Sequence, residues 1–362
     1  LARRGVTERS RVRVALVGCG RIARVHRSYL EGITQAEIVG VCDVDAVARG
    51  AFLQGSSIPG FGSIEAMMGE GRPDVVHVLT PPRTHAPLAI ALLEAGANVL
   101  VEKPLAMSTG EAKEVLASAA RAGKWVSVDH NRYFDPVVQR AVIAVESGRL
   151  GELVGVEVFQ GAEVGEAEKM LNPSDDWRVN LPGGILHNLA SHPLYLMRRF
   201  AGPVKTLKVL ASELAPGKLS EVRITAEGER CLASVAMSVR TKPFMNRLSL
   251  HGTEASIEVN LNNMTFLKRR TRKLPKLLGK VWPNLDEARQ LLGSTVANTV
   301  AYVSGRQRFY PGIGAHLEQL YASVAGGGLP PVSAEEGMDV VDWYDRILDA
   351  AGIALPPSKG DG

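Results

Sequence analysis

Val12-Arg13-Val14-Ala15-Leu16-Val17-Gly18-Cys19-Gly20-Arg21-Ile22-Ala23 decides the fold of the first part of this chain. An apolar run breaks at two glycines and resumes with helix-forming residues, the pattern of a strand, a tight turn and a helix. Gly18 takes the turn, Gly20 has no side chain to block the approach of a ligand to the backbone, and Ala23 is small enough for the helix to sit close to the strand. The N–H groups that open the helix, around Arg21 and Ile22, would meet a dinucleotide pyrophosphate at the positive end of the helix dipole. A second apolar run, Glu37-Ile38-Val39-Gly40-Val41-Cys42, ends in Asp43. A carboxylate at that strand end accepts hydrogen bonds from the adenosine ribose and repels a 2′-phosphate, so the pattern predicts NAD in preference to NADP. The alternative is an ordinary βα turn with a surface aspartate.

The same grammar continues outward. Strand-like runs at Val12–Val17, Ile38–Cys42, Asp74–Leu79, Asn98–Val101 and Trp125–Val128 alternate with helical stretches such as Thr84–Ala95, which predicts an α/β, doubly wound parallel sheet over residues 11–133. After Asp135-Pro136 the pattern changes to alternating runs at Leu153–Phe159, Thr206–Leu210, Glu221–Thr225, Leu232–Val239, Arg247–His251 and Ser256–Val259. Residues 134–350 are therefore expected to form an α+β domain with a large, mainly antiparallel sheet, bearing substrate contacts and a face for self-association as a dimer or tetramer.

With 362 residues the chain has room for two cores. It contains no apolar run of transmembrane length and no signal-like start, so a cytoplasmic location is expected. Cys19, Cys42 and Cys231 lie in or beside strand-like runs and read as small buried apolar groups; no metal is expected. The net charge of +4 is local: seven of the thirteen residues from Lys268 to Lys280 are basic and none is acidic, so the rest of the chain is acidic in balance. That block, interleaved with Leu274, Leu277 and Leu278 and followed by Trp282, has three readings beyond a solvated loop or a self-contact: a nucleotide-sugar diphosphate, nucleic acid, or, through residues 268–282, an anionic membrane surface. No reading motif accompanies it, so nucleic acid is not expected as a partner.

Val99-Leu100-Val101-Glu102-Lys103-Pro104 sets a charged pair at the carboxyl end of a parallel strand, the edge where open α/β sheets bind ligands. Pro104 restricts Lys103 and helps to aim its ammonium, which can exchange a proton with a substrate hydroxyl beside a nicotinamide. A strand-end salt bridge is the alternative. Arg132, in Asn131-Arg132-Tyr133-Phe134, meets either a phosphate or substrate, or forms an ion pair where the chain leaves the first domain.

Taken together, GCGRIA, Glu102-Lys103-Pro104 and the run from Gly183-Gly184 through Asn188 to His192 resemble the glucose-fructose oxidoreductase and inositol dehydrogenase family, Gfo/Idh/MocA. Thr80-Pro81-Pro82 with His85, and Trp177-Arg178, support the resemblance, which extends from about Arg11 to Ala350. It implies NAD(P)-dependent oxidation or reduction of a sugar, cyclitol or nucleotide sugar. It also implies cofactor contacts from Thr80, Pro81, His85, Glu102 and Lys103, and a substrate pocket lined by Arg132, Trp177, Arg178, Asn188 and His192. Asn188 stands where the best-known members carry Asp. An amide orients a hydroxyl but takes no proton, which shifts acid–base work onto Lys103 and His192. Asn188 and His192 are i and i+4 on a helix and share a face. Tyr195, almost one turn further, is expected to face the core, and His187 to be structural. Two other functions remain open within the resemblance: net glycoside cleavage with a retained NAD, and a non-catalytic dinucleotide-binding sensor.

Overall fold

The structure, a computed structural model, describes residues 11–162, 165–172, 176–306 and 308–354. In chain order the first part comprises β1 (Val12–Val17), α1 (Arg21–Leu30), β2 (Ala36–Cys42), α2 (Ala46–Leu53), β3 (Gly60–Phe61), α3 (Ile64–Ala66), β4 (Val75–Val78), α4 (His85–Glu94), β5 (Asn98–Val101), α5 (Thr109–Ala122) and β6 (Val126–Val128). There follow α6 (Pro136–Glu146), β7 (Leu153–Gly161), α7 (Glu166–Leu171), α8 (Ile185–Ala201), β8 (Val204–Ala215), β9 (Lys218–Gly228), β10 (Leu232–Ser238), β11 (Asn246–Gly252), β12 (Ala255–Asn260), β13 (Thr265–Arg270) and α9 (Lys276–Val303). Two further helices, α10 (Pro311–Ala325) and α11 (Ala334–Ala350), close the described chain.

The chain divides into two compact units, Leu1–Asp129 with Ile313–Met338, and His130–Gly312 with Asp339–Gly362. In the first, six parallel strands run in the order β3-β2-β1-β4-β5-β6. Val14, Leu16, Val75, Val76 and Leu100 are wholly buried, each stabilising the fold by about 1.5–3 kcal/mol. The order reverses at β1, so the first residues after β1, β2, β4, β5 and β6 share one edge on either side of the switch point, where open α/β sheets bind ligands.

The expected boundary needs one correction: residues 313–338 do not belong with the second domain but pack on the first. Ile313, Leu317, Leu320 and Tyr321 of α10 join a core cluster with Val14, Leu16, Leu30, Val75 and Leu100. A buried polar chain adds direction to that packing. The Tyr321 hydroxyl lies 2.6 Å from His77 Nε2, His77 Nδ1 3.0 Å from His26 Nδ1, and His316 Nδ1 2.7 Å from Asp129 Oδ1. His26 Nε2 is 3.3 Å from the other Asp129 oxygen, close enough for attraction though poorly aligned for a hydrogen bond. With His77 neutral, its Nε2 accepts from the Tyr321 hydroxyl and its Nδ1 donates to His26, and every one of these groups is shut off from water. Burial holds the His77 pKa well below its ordinary value, in keeping with a neutral ring.

The second unit is built on a seven-stranded sheet, β13-β12-β11-β7-β10-β9-β8, in which only the β7–β10 pair is parallel. One face, with Val156, Val158, Val235, Ile224, Leu248 and Leu250, is buried, and α8 packs against β7, β9 and β10. Across the other face the register row Glu258–Ser249–Glu157–Ser234–Thr225 is polar, while Leu210 and Leu232 on the same face are exposed. Gly183 and Gly184, both at positive φ, bring the chain into α8; a Cβ on Gly183 would lie 2.5 Å from the Tyr344 hydroxyl.

Candidate functional site

In the first unit, Gly18 has φ +99°, and a Cβ there would press against the Leu79 backbone at 3.0 Å, so the turn requires glycine. A Cβ on Gly20 would meet open space, which leaves the backbone approachable. Gly20 is the N-cap of α1, with no side chain capping the helix and no acid in its first turn, an arrangement suited to an anion. Ala23 is fully buried, as close helix–strand packing demands, while Arg21 is exposed at the helix start.

Asp43 sits directly after β2 and does work that the sequence pattern did not disclose. Its Oδ2 accepts from Cys19 N–H at 2.8 Å and its Oδ1 from Asp45 N–H at 2.9 Å. The carboxylate thus fixes the glycine loop, and its remaining lone pairs can still accept from ribose hydroxyls. Burial, reinforced by this carboxylate, pushes the Cys19 thiol up to about 12, and Cys42 rises to about 11 for the same reasons. Neither is primed for thiolate chemistry.

After β4, Thr80 and Pro81 lead into a short turn whose Thr84 hydroxyl reaches the Thr80 hydroxyl and the Pro81 carbonyl. His85, expected among the cofactor contacts, is instead buried as a brace. Its Nδ1 lies 2.7 Å from the Pro104 carbonyl and its Nε2 2.8 Å from the Thr80 carbonyl. Burial lowers its pKa more than these two acceptors raise it; a neutral ring donates to one of the two carbonyls and packs against the other, between the loops that follow β4 and β5. Lys103, only 9% exposed, follows Glu102 immediately after β5, and its bond to Pro104 is cis. The Glu102 carboxylate accepts from the Lys103 backbone N–H. Burial lifts Glu102 to about 7, against the pull of the Lys103 ammonium.

In the second unit, Asn188 and His192 are partly exposed positions on one face of α8, whereas Tyr195 is wholly buried beneath them. The Tyr195 hydroxyl accepts from Arg132 N–H at 3.1 Å and donates to Asn131 Oδ1 at 3.3 Å. His192 Nδ1 lies 2.8 Å from the same oxygen. The hydroxyl has one proton and two lone pairs. With its proton on Asn131, the oxygen can accept from His192 in the tautomer that carries the hydrogen on Nδ1. His130 stacks on the Tyr195 ring at 4.3 Å, and the Tyr133 hydroxyl donates to the Tyr195 carbonyl.

Arg132 pairs with the buried Asp135 at 3.4 Å, the ion-pair alternative of its sequence reading; burial raises Asp135 to about 6 despite that partner. Arg178 departs from the expected substrate fork, since its guanidinium is gripped by both oxygens of Asp176 and lies 3.5 Å from Glu166. Trp177 beside it is 41% exposed. His187 stacks on Tyr344 and meets the Pro182 carbonyl, a structural role. Tyr195 is the residue whose importance sequence reasoning missed; its i+3 spacing from His192 was the available signal.

Residues 12–130 match the model of an oxidoreductase family with an NAD-binding Rossmann fold, and residues 138–258 match the Gfo/Idh/MocA C-terminal domain. The chain belongs to the Gfo/Idh/MocA family. Its first unit is the NAD-binding Rossmann domain of that family, and the open glycine loop, uncapped α1 and Asp43 fit the dinucleotide. Inositol 2-dehydrogenase of Rhizobium meliloti (strain 1021) is 27% identical over 68% of this chain and 74% of that one. D-glucoside 3-dehydrogenase of Escherichia coli (strain K12) is 35% identical over 40% of this chain and 42% of the relative, so the chain spans less than half of that protein's length. Among solved folds, the WlbA dehydrogenase from Bordetella pertussis, crystallised with NADH and UDP-GlcNAcA, superposes with a TM-score of 0.76 at 22% identity, covering 98% of this chain and all of that one.

Proposed function

We propose that this Gfo/Idh/MocA protein is an NAD-dependent oxidoreductase acting on a carbinol of a sugar, cyclitol or nucleotide sugar. When bound, NAD supplies the two-electron chemistry by exchanging a hydride with the carbinol carbon. The chain's own residues handle the proton: the Lys103 ammonium exchanges it with the reacting hydroxyl, and His192 orients that hydroxyl or takes its proton through Nε2. The observation that supports this assignment is the contact of His192 Nδ1 with the buried Tyr195 hydroxyl at 2.8 Å, which holds the ring in place on α8. Asn188, on the same helix face, orients a hydroxyl without competing for its proton.

The direct test is a panel of inositols, aldoses and UDP-sugars incubated with NAD, followed at the NADH absorbance. Steady growth of NADH with one class supports the proposal. Product without net NADH supports glycoside cleavage instead, and sugar binding with neither supports a sensor.

A further inference from the structure

The helix α9 is turned inside out. A surface helix ordinarily sends its apolar stripe to the core, yet none of the 28 residues of α9 is buried. Its polar side faces its own sheet: Gln290 accepts from Lys268 N–H at 2.9 Å and donates to the Lys268 carbonyl at 3.0 Å, Glu287 pairs with Arg269 at 2.6 Å, and Asn298 donates to the carbonyls of Asn263 and Met264. These side chains cover the outer edge of β13, the last strand of the sheet, which would otherwise offer unpaired backbone groups. The opposite side carries Leu278, Val281, Leu285, Leu292, Val296 and Val303, each 46–85% exposed. At 100° per residue they fall within an arc of about 60°, along about 38 Å of helix.

The basic run adjoins this stripe. Arg270, Arg272, Lys273, Lys276 and Lys280 have no ion-pair partner among the described residues, and Arg272 lies over the Trp282 ring at 5.2 Å. Beside them a cavity of about 810 Å³ is lined by Arg149, Lys268, Arg270, Arg272 and Trp282. Of its three acids, Asp286 and Glu287 are already paired with Arg289 and Arg269, and Glu254 stands against the basic residues Arg149, Lys268, Arg270, Arg272 and Arg289.

We infer that the outward face of α9, with the basic run that precedes it, is a docking surface for an anionic lipid bilayer on which the helix lies flat. Two copies of this chain joined face to face here gain no matching charge: parallel helices set the two basic ends together, and antiparallel ones set each against the uncharged stretch from Leu291 to Val303. An anionic bilayer answers both features, with headgroups for the cations and hydrocarbon for the stripe. No described helix is long and apolar enough to cross a membrane, so the contact is with one surface.

Co-sedimentation of the full chain with phosphatidylglycerol–phosphatidylcholine vesicles, against pure phosphatidylcholine, tests this. Binding is expected only to the anionic vesicles. The exposed triple variant Lys273→Gln/Lys276→Gln/Lys280→Gln should weaken it about 100-fold, or about 5-fold per charge. Leu285→Gln/Val296→Gln should abolish it with thermal unfolding unchanged. The inference is overturned by no sedimentation with either vesicle, by equal sedimentation with both, or by a dimer in sedimentation velocity that Leu285→Gln/Val296→Gln dissociates while vesicles are ignored.

Discussion

Replacing Tyr195 by Phe removes one oxygen and little else, because the ring is wholly buried between His130 and Tyr133. That oxygen serves three groups: Arg132 N–H, His192 Nδ1 and Asn131 Oδ1. Water has no route to replace it at a site with zero exposure. A neutral hydrogen bond contributes about 1 kcal/mol net and a stranded buried partner costs about 1–3 kcal/mol, so the loss, with His192 half-rescued by its partial exposure, comes to about 2–4 kcal/mol. For a unit of this size that lowers Tm by about 5–10 °C. Urea unfolding of the variant beside the wild type gives the stability change directly. The same substitution frees the imidazole to change tautomer, so the acid limb of the kcat/KM profile should move, while KM for NAD stays within about 2-fold. A stability change below about 0.5 kcal/mol, or an unmoved acid limb, refutes the hydrogen-bond assignment at Tyr195.

Gly18→Ala forces a Cβ onto φ +99° and into the Leu79 backbone; it should cost about 1–3 kcal/mol and weaken NADH binding, read by fluorescence titration, and unchanged affinity would contradict the loop argument. Asp43→Ala withdraws the acceptor of Cys19 N–H and should raise the Kd for NADH by about 10-fold or more, with isothermal titration as the check. Glu102 has a folded-state pKa raised from 4.5 to about 7. The stability this adds is therefore fully present below the unfolded value and lost as pH rises through about 7. The stability of wild type relative to Glu102→Gln should accordingly increase as pH falls from 8 to 5 in urea unfolding, and a pH-independent difference would count against that shift.

Much of the first unit was legible because its signals are local. Glycines at positions 18 and 20, an acid after the second strand and Glu102-Lys103-Pro104 after the fifth each state a backbone requirement or a charge at a strand end. What escaped depends on partners distant in sequence. Residues 313–338 return to the first unit through His316 and Tyr321, whose partners Asp129 and His77 lie 187 and 244 positions away. Asp43 reads as a ribose acceptor, and only the folded loop brings Cys19 N–H to its other oxygen. Arg178 reads as a free fork until Asp176, two residues before it, is seen to fill it. The basic run reads as a loop because the apolar positions after it face outward, and the period that marks a helix is usually credited only when it has a core to meet. In the second sheet β13 was missed for a related reason: its end, Lys268-Arg269-Arg270, carries charge where an interior strand would not, as befits an edge.

The most direct measurement is the pair of NADH affinity and turnover for Lys103→Met. The central claim is that the ammonium moves a proton and is dispensable for holding the dinucleotide. It predicts turnover lowered by about 100-fold or more on whichever sugar wild type oxidises, with the Kd for NADH within a few-fold of wild type. Full turnover in the variant would contradict that claim and remove Lys103 from the chemistry.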